Sequence, residues 1–313
     1  MKNTSRADAL FRYVTIAVAS VVVGLFVIYF VELVSGSSLT LSEGLFFITS
    51  SIWTDVAFGV YPMLWGSLVT SAIALCIGVP VSIGVAIFLS EISKGRLRSS
   101  LGFLVEMLAA VPSVVYGLWG LFIVTPLLSA YAYPVLEQYV GFLPIFSCPD
   151  TFVPCYFYGV SVMTAGVILA IMIIPIVAAI SRDALMAVPN SQREAAYALG
   201  ATRSEAINMS VLSYARSGII AAIFLGFARA FGETMAVVML IGNERVVSIS
   251  LFHPGYTLAS LIANEFSEAS SPVAVSALIE AGLVLLVVAF MTSFIGRLMI
   301  RRFLRSREAA SYL

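Results

Sequence analysis

Charged residues are scarce in this sequence, and several side chains on which most enzymes depend are nearly missing. Charged residues make up 11% of the 313 residues, hydrophobic residues make up 60%, and the mean hydropathy is +1.03. A water-soluble domain of this length would have too few charges to cover its surface, which excludes the soluble classes of protein. The sequence contains a single histidine and no aspartate within its long apolar runs, so an intramembrane enzyme has little material to work with.

Lysine is scarce as well, and its positions exclude the commonest kind of ATP site. The chain carries only Lys2 and Lys94, and neither lies in a Gly-x-x-x-x-Gly-Lys phosphate loop. We therefore expect a chain that is not an enzyme, has no ATPase site of its own and binds no cofactor or metal ion.

Long apolar runs dominate what is present. A helix of about 20 apolar residues spans the ~30 Å hydrocarbon core of a bilayer. Because the runs are almost continuously apolar and lipid cannot satisfy backbone groups, we predict an all-α membrane protein with six transmembrane helices. We expect a polar lead at 1–11, one membrane domain at 12–305 and a tail at 306–313. The predicted spans are 12–34, 64–90, 101–126, 157–181, 214–243 and 273–300.

Arginine and lysine are missing from the loops on one side of this arrangement. Loops 35–63 and 127–156 contain neither residue, and the loop after the fifth span contains only Arg245. Apart from Arg229 in the fifth span, the other basic residues lie at the start of the first span, after the second, between the fourth and fifth, and at the end of the sixth. The positive-inside rule therefore predicts a multi-pass protein of the cell membrane with both termini in the cytoplasm.

Two of the three cysteines lie close together in the second loop predicted to be external. Cys148 and Cys155 belong to the segment SCPDTFVPC. A disulfide between them is expected if that side of the membrane is oxidising, and two unpaired thiols are the alternative.

The loop 182–213 is the most organised polar segment. Gly200 lies between two apolar stretches, where a left-handed helix terminator is expected. We predict two short helices, at about 192–199 and 203–213, separated at Gly200. The first is either a surface helix folded back on the bundle or a docking peg for a soluble partner. Two residue pairs have the spacing of a capping box: Ser191 with Glu194, and Thr202 with Glu205.

The fifth apolar run contains two opposite charges, within ARAFGETMAVVMLIGN at 228–243. Arg229 and Glu233 are four residues apart, so on a helix they share one face and neutralise each other. An arginine at mid-depth costs roughly 2.5–3.5 kcal/mol, and ionisable residues retained there mark functional sites more often than structural pairs. Gly232 and Thr234 beside them would offer close backbone approach and a hydroxyl, although small residues in spans commonly serve packing.

The segment EAAYALG at 194–200 reproduces the Glu-Ala-Ala-x-x-x-Gly signature of the membrane subunits of ABC importers, which the chain resembles. The chain departs from the signature further on, where Ser210 and Ser213 replace an aliphatic residue and a proline. In that family the short helix is a coupling helix that sits in a groove of the ATPase subunit. The resemblance implies this coupling role for Glu194, Ala195, Ala196, Tyr197 and Gly200.

A closer resemblance is to the phosphate-specific permease subunits of the PstC type, and it touches five of the six spans. It implies the type I ABC importer permease (MetI-like) fold with a cytoplasmic coupling helix. It also implies half of a pathway for inorganic phosphate, lined by Arg229, Gly232, Glu233 and Thr234. The segments that carry the resemblance are 63–91, 106–126, 164–185, 228–243 and 256–269.

The resemblance implies several partners besides the lipid bilayer, and no nucleic acid. They are a second, A-type permease subunit that forms a heterodimer with this chain, two ATPase subunits that use ATP and Mg²⁺, and an extracytoplasmic phosphate-binding protein. Two alternatives stay open at this point. One is a permease for sulfate or molybdate, and the other is an ion-coupled secondary carrier, which predicts an internal inverted repeat that the sequence does not show.

Overall fold

A computed structural model of the chain describes residues 6–54, 57–148 and 159–310. Across these ranges the chain is helical apart from its turns and loops, with two isolated β-bridges and no sheet. The helices are α1 (Arg6–Gly36), α2 (Leu45–Thr49), α3 (Tyr61–Ile92), α4 (Gly95–Ala109), α5 (Ser113–Val140), α6 (Val162–Met186), α7 (Asn190–Ala198), α8 (Arg203–Phe231), α9 (Met235–Leu240), α10 (Leu258–Glu265) and α11 (Pro272–Ala310). Six of them, α1, α3, α5, α6, α8 and α11, are long and apolar enough to cross a membrane, which confirms the predicted class.

The third span differs from its predicted bounds of 101–126. The chain leaves helical geometry at Pro112, which has φ −59° and ψ 139° and acts as the N-cap of α5. Because proline lacks a backbone donor and disfavours helix in the residue before it, α4 ends at Ala109 and the span starts at Ser113. The apolar residues 101–109 therefore belong to the separate helix α4.

Segments of π-helix widen three of the spanning helices. Such segments are rare and are frequently found at functional sites. Those of α3 and α8 lie at the ends that flank α7. The segments are Phe88–Ile92 in α3, Gly120–Val124 and Leu128–Ala132 in α5, and Ala206–Leu212 in α8.

Helix α6 lies at the centre of the bundle. About 61% of its apolar window is buried, whereas the corresponding window of α1, which packs along α11 at the edge, is 0% buried. Helices α3 and α8 pack on α6 through glycines, with Gly78 against Ile173 and Gly226 against Val177. The missing side chains let the helix backbones approach closely, as is common between helices in membranes.

The chain reverses direction between spans, so its basic segments gather at one end of the bundle. We call this the basic end (residues 91–98 and 182–216), where Arg203 of α8 donates a hydrogen bond to the carbonyl of Glu91 in α3. The opposite, acidic end consists of residues 37–60, 137–148 and 242–271. There the amide of Leu251 donates to the carbonyl of Ile145.

Candidate functional site

The fifth spanning segment is broken where the two charges occur. The sequence predicts one continuous run at 214–243, but α8 ends at Phe231 and α9 begins only at Met235. The amide of Gly232 still donates to the carbonyl of Ala228 at 3.1 Å, and then the helical ladder stops. Glycine is about 1 kcal/mol less favourable than alanine in a helix, which helps to place the break here.

The break lies near the middle of the bundle. Gly226 packs against Val177 and Ile173, which are close to the midpoint of α6. Arg229 lies three residues, about 4.5 Å of helix, beyond Gly226. The predicted mid-depth position of the charges therefore agrees with the packing of α8 on α6.

Arg229 and Glu233 are brought together but do not form a tight ion pair. Arg229 Nη2 and Glu233 Oε2 are 3.7 Å apart, which is longer than a hydrogen bond. The Glu233 side chain is 7% exposed, whereas that of Arg229 is 46% exposed and forms no hydrogen bond with any residue that the structure describes. Because Glu233 lies beyond the last residue of α8, the two groups do not share one continuous helical face as predicted. The guanidinium donors remain available to another partner.

The small residues of the break leave space beside the pair. Gly232 has φ −90°, and a Cβ atom there would meet only the carbonyl oxygen of Ala228, at 3.4 Å. Neither backbone strain nor tight packing therefore requires a glycine at this position. The hydroxyl of Thr234 makes only a long hydrogen bond of 3.5 Å to the carbonyl of Gly232 and leaves the N-terminus of α9 without a side-chain cap.

Buried side chains pack on one side of the break, and the other side is exposed. Ala236, Val237 and Leu240 of α9 are buried in the main hydrophobic core. Gly117 of α5 lets the α9 backbone approach, since a Cβ there would lie 2.7 Å from Met239 Sδ. Arg229 lies on the uncovered side of the chain, where neighbouring apolar side chains are also about half exposed. These neighbours are Leu225 and Met235.

Helix α7 confirms part of the predicted organisation at the basic end. Gly200 adopts φ +84° and terminates the segment as expected, and Thr202 with Glu205 forms the predicted capping box. The capping box predicted for Ser191 and Glu194 is wrong. Pro189 is the N-cap of α7, so Ser191 already lies in its first turn, and no side chain caps the helix.

The predicted second short helix, 203–213, is not separate. It continues into α8 through the π-helical segment Ala206–Leu212. The departure from the importer signature has a structural use here, because the hydroxyl of Ser210 donates a 2.9 Å hydrogen bond to the carbonyl of Gln192 in α7. A π-helical widening thus replaces the helix break that a proline would impose at Ser213.

Most residues predicted to couple to an ATPase lie on an open surface. Glu194, Ala195, Tyr197 and Gly200 are exposed, and Ala196 is half-buried. Leu199 is 90% exposed, which is unusual for so large an apolar side chain. A cavity of about 670 Å³ lies between α7 and the first turns of α8. Within the described part of the chain, the side of α7 that carries Glu194 and Tyr197 is uncovered.

Comparisons with known proteins agree with this architecture. Residues 78–305 match the family described as the binding-protein-dependent transport system inner membrane component. The chain belongs to this family. It is therefore a multi-pass membrane protein, as its six apolar helices also indicate.

Curated relatives of this family member cover nearly its whole length. It is 43% identical over 298 residues to the phosphate transport system permease protein PstC of Pasteurella multocida (strain Pm70), covering 94% of this chain and 92% of the relative. It is 40% identical over 304 residues to the PstC protein of Xylella fastidiosa (strain Temecula1), covering 96% and 93%. A probable PstC protein of Methanocaldococcus jannaschii is 38% identical over 256 residues, covering 82% and 78%.

Solved structures confirm the predicted importer-permease fold of this family member. A chain of the MetNI methionine ABC transporter, solved in inward-facing conformations, aligns with a TM-score of 0.52 at 17% identity. The alignment covers 78% of this chain and 94% of that one. A chain of an amino acid ABC transporter with histidines aligns with a TM-score of 0.50 at 19% identity, covering 77% and 92%.

One buried contact at the basic end was missed by the sequence analysis. Arg193 of α7 reaches Glu91 of α3, with Nη2 2.7 Å from Oε1 and Nε 3.3 Å from Oε2. The two side chains are only 19% and 11% exposed. Because 102 positions separate them, no local spacing rule signals this contact. A basic residue directly before the signature glutamate is the one hint that the sequence contains.

A second charged contact lies at this end of the bundle. Glu106 of α4 accepts a 2.9 Å hydrogen bond from Arg182 Nη2. The same nitrogen is 2.9 Å from Asp183, whose side chain is 67% exposed. Exposed pairs of this kind contribute about 0–1 kcal/mol. The Arg182 contacts are therefore a surface feature.

The acidic end has its own arginine and glutamate pair. Arg245, the one basic residue predicted for this side, pairs with Glu265 of α10, which also accepts a 2.8 Å hydrogen bond from Trp53 Nε1. A cavity of about 860 Å³ adjoins the pair. Burial raises the pKa of Tyr256, so its hydroxyl stays protonated beside Asn264.

The predicted disulfide falls partly outside the described residues. Cys148 is disulfide-bonded. Cys155 lies outside the described ranges, so the pairing of Cys148 with Cys155 stays a prediction.

Proposed function

We propose that this chain is the permease subunit of an ATP-driven importer for inorganic phosphate and forms half of the translocation pathway. The observation that carries the proposal is the loosely paired guanidinium of Arg229 at a mid-span helix break. This arrangement occurs in a chain that is about 40% identical, over 96% of its length, to a phosphate transport permease protein. Arg229, Glu233, Gly232 and Thr234 are the proposed contacts of the passing anion.

The chemistry of the pair suits a transient phosphate site. A guanidinium fork matches two oxygens of a tetrahedral oxyanion, but a lone buried cation would hold such an anion too tightly. Glu233 lowers the net charge and receives Arg229 back when the anion leaves. Hydrogen phosphate can also donate its proton to the Glu233 carboxylate, whereas sulfate has no proton at neutral pH. The pair therefore favours phosphate over sulfate.

The exposed face around Arg229 favours the presence of a partner subunit on that side. An arginine facing hydrocarbon at mid-depth costs roughly 2.5–3.5 kcal/mol on the most lenient scale. Water in a pathway, or polar groups of a second permease subunit, would remove that cost. We place an A-type permease subunit against this face, so that the pathway runs between the two subunits.

The remaining partners are assigned to the two ends of the bundle. By the positive-inside rule the basic end and both termini are cytoplasmic. We propose that α7 is the coupling helix, with Glu194, Ala195, Ala196, Tyr197 and Gly200 contacting one of two ATPase subunits, which bind ATP and Mg²⁺. The phosphate-binding protein would deliver its anion to the acidic end. This chain then hydrolyses nothing and binds no cofactor.

Uptake by a reconstituted complex tests the proposal. The chain, its partner permease, the ATPase subunits and the binding protein are placed in proteoliposomes, and uptake of radiolabelled phosphate is measured with and without ATP. We expect ATP-dependent uptake that excess unlabelled phosphate suppresses and equal sulfate or molybdate does not. Suppression by sulfate or molybdate alone would assign the importer to that oxyanion instead. Uptake driven by an ion gradient without ATP would identify a secondary carrier.

A further inference from the structure

Two spanning helices, α3 and α8, and the short helix α7 meet at one residue of the basic end, Glu91. Its carboxylate accepts two hydrogen bonds from Arg193 of α7, at 2.7 and 3.3 Å. Its backbone carbonyl accepts a hydrogen bond from Arg203, the first residue of α8. Glu91 itself belongs to the π-helical end of α3. Helices α3, α7 and α8 are therefore linked through a single position.

Arg193 completes the connection by contacting α6 as well. Its Nη2 donates to the carbonyl of Leu185 in α6 at 3.1 Å, and its Nη1 donates to the carbonyl of Val188, just beyond α6, at 2.6 Å. Nη1 also lies 3.4 Å from Asn190 Oδ1. A guanidinium has five N–H donors, and these contacts with the two to Glu91 engage all of them. No donor of Arg193 remains for a ligand, so its role is mechanical.

The contact lies on the inner side of α7, away from Glu194 and Tyr197, which are proposed to meet the ATPase. Arg193 and Ala196, three residues apart, are the half-buried positions of this helix, whereas Glu194 and Tyr197 are exposed. A force applied to the outer surface of α7 therefore passes through Arg193 into the bundle. The hydrogen bond from Ser210, in the π-helical segment of α8, to Gln192 adds a second link on the same side.

We propose that Glu91 is the positioning residue that fastens α7 to α3, α6 and α8, so that movement of α7 is transmitted to the transmembrane helices. The proposal rests on the proposed function, because it assigns to α7 the role of receiving the ATPase stroke. Without the carboxylate, Arg193 still caps the end of α6, but α7 loses its link to α3. A movement of the ATPase subunits would then shift α7 without shifting α3.

A distance measurement on the chain tests the fastening directly. Spin labels are placed on exposed positions of α3 and α7, with Val81→Cys and Ala198→Cys, after Cys76, the exposed free cysteine, is replaced by serine. We expect one narrow distance distribution in the labelled parent and a clearly broader one after Glu91→Gln. The matched control is Asp183→Asn, which breaks an exposed ion pair at the same end and leaves the distribution narrow. An unchanged width after Glu91→Gln would overturn the proposal.

Transport coupling provides a second, independent readout. In the reconstituted complex, Glu91→Gln is expected to lower the ratio of phosphate imported to ATP hydrolysed at least ~10-fold, with ATP hydrolysis continuing. Arg193→Gln should lower the ratio similarly. The double variant should be no worse than the more damaging single one, since both single changes remove the same contact between Arg193 and Glu91. Additive losses, or a normal ratio in Glu91→Gln, would contradict a shared fastening role. If the parent complex imports no phosphate, the proposed function fails while the spin-label test of the fastening still stands.

Discussion

Two arginine and glutamate pairs in this chain have the same chemistry and opposite geometry. Arg193 at the basic end engages all of its N–H groups and approaches Glu91 to 2.7 Å, with both side chains largely buried. Arg229 at mid-span lies 3.7 Å from Glu233, is 46% exposed and has no hydrogen bond within the described part of the chain. The donors of the first guanidinium are all engaged, whereas those of the second are uncommitted within the described residues.

The difference shows that a charged pair in a membrane protein cannot be interpreted from residue type or spacing alone. The pair with the helical four-residue spacing is the loose one, and the pair separated by 102 residues is the tight one. What distinguishes them is the number of acceptors around each guanidinium. Carbonyls at the end of α6 saturate Arg193, whereas a broken helix and an uncovered face leave Arg229 unsaturated.

The largest expected effect is on the stability of the chain, where loss of Arg193 should cost far more than loss of Arg229. Arg193→Met leaves a buried carboxylate and two carbonyls without their donor, so we expect the free energy of unfolding to fall by about 3 kcal/mol. Arg229→Met breaks no hydrogen bond and should change it by no more than about 0.5 kcal/mol. Reversible unfolding of the detergent-solubilised chain in a denaturing detergent measures both. Equal losses would show that the two pairs do not differ in the way proposed.

The second prediction concerns phosphate uptake by variants of Arg229. Arg229→Ala should lower ATP-dependent phosphate uptake about 100-fold, because an anion loses a charge-assisted bidentate contact. Arg229→Lys keeps the charge without the planar fork and should retain part of the uptake. Arg245→Ala at the acidic end is the matched control and should lower uptake less than about 3-fold, since this arginine is 43% exposed and lies away from the mid-span break. Uptake by Arg229→Ala at the parental rate would remove Arg229 from the pathway.

A smaller effect is expected on selectivity. Glu233→Gln accepts a weaker hydrogen bond from hydrogen phosphate, offers N–H donors to sulfate and no longer repels a fully ionised anion, so the preference for phosphate over sulfate should fall about 10-fold. Competition of sulfate against labelled phosphate uptake measures the change. Glu265→Gln serves as the comparison, because that carboxylate belongs to the acidic end. An unaltered preference in Glu233→Gln would contradict the hypothesis that Glu233 recognises the proton of hydrogen phosphate.

The smallest effect should come from the glycine beside the loose pair. Gly232→Ala places a Cβ 3.4 Å from the carbonyl oxygen of Ala228, an ordinary contact, and should shift the free energy of unfolding by no more than about 0.5 kcal/mol. Gly226→Ala, in the same helix, puts a Cβ 2.5 Å from Val177 Cγ2 and should destabilise the chain by about 1–3 kcal/mol. The same unfolding assay compares them. A destabilised Gly232→Ala would mean that the break is packed more tightly than its geometry shows.

Local patterns in the sequence predicted much of the architecture. Six spans, an all-helical class and the terminator at Gly200 follow from apolar run length, backbone satisfaction and glycine conformation. The capping box of Thr202 was correctly predicted, but that of Ser191 was not, since the helix starts two positions earlier, with Pro189 as its N-cap. The break after Phe231 was missed because the three residues 232–234, of which Gly232 and Thr234 have low helix propensity, scarcely change the hydropathy of a 30-residue run.

The pattern of apolar runs alone determined that this chain has six segments able to cross a membrane, because bilayer thickness and unpaired backbone groups act on each segment separately. The order of residues also determined that two opposite charges would lie in the middle of the fifth segment. Only the tertiary structure decided what each guanidinium does, because its acceptors come from helices distant in sequence. Glu91 of α3 and the carbonyls at the end of α6 help to engage every donor of Arg193, whereas Arg229 lies at an open break with its donors uncommitted.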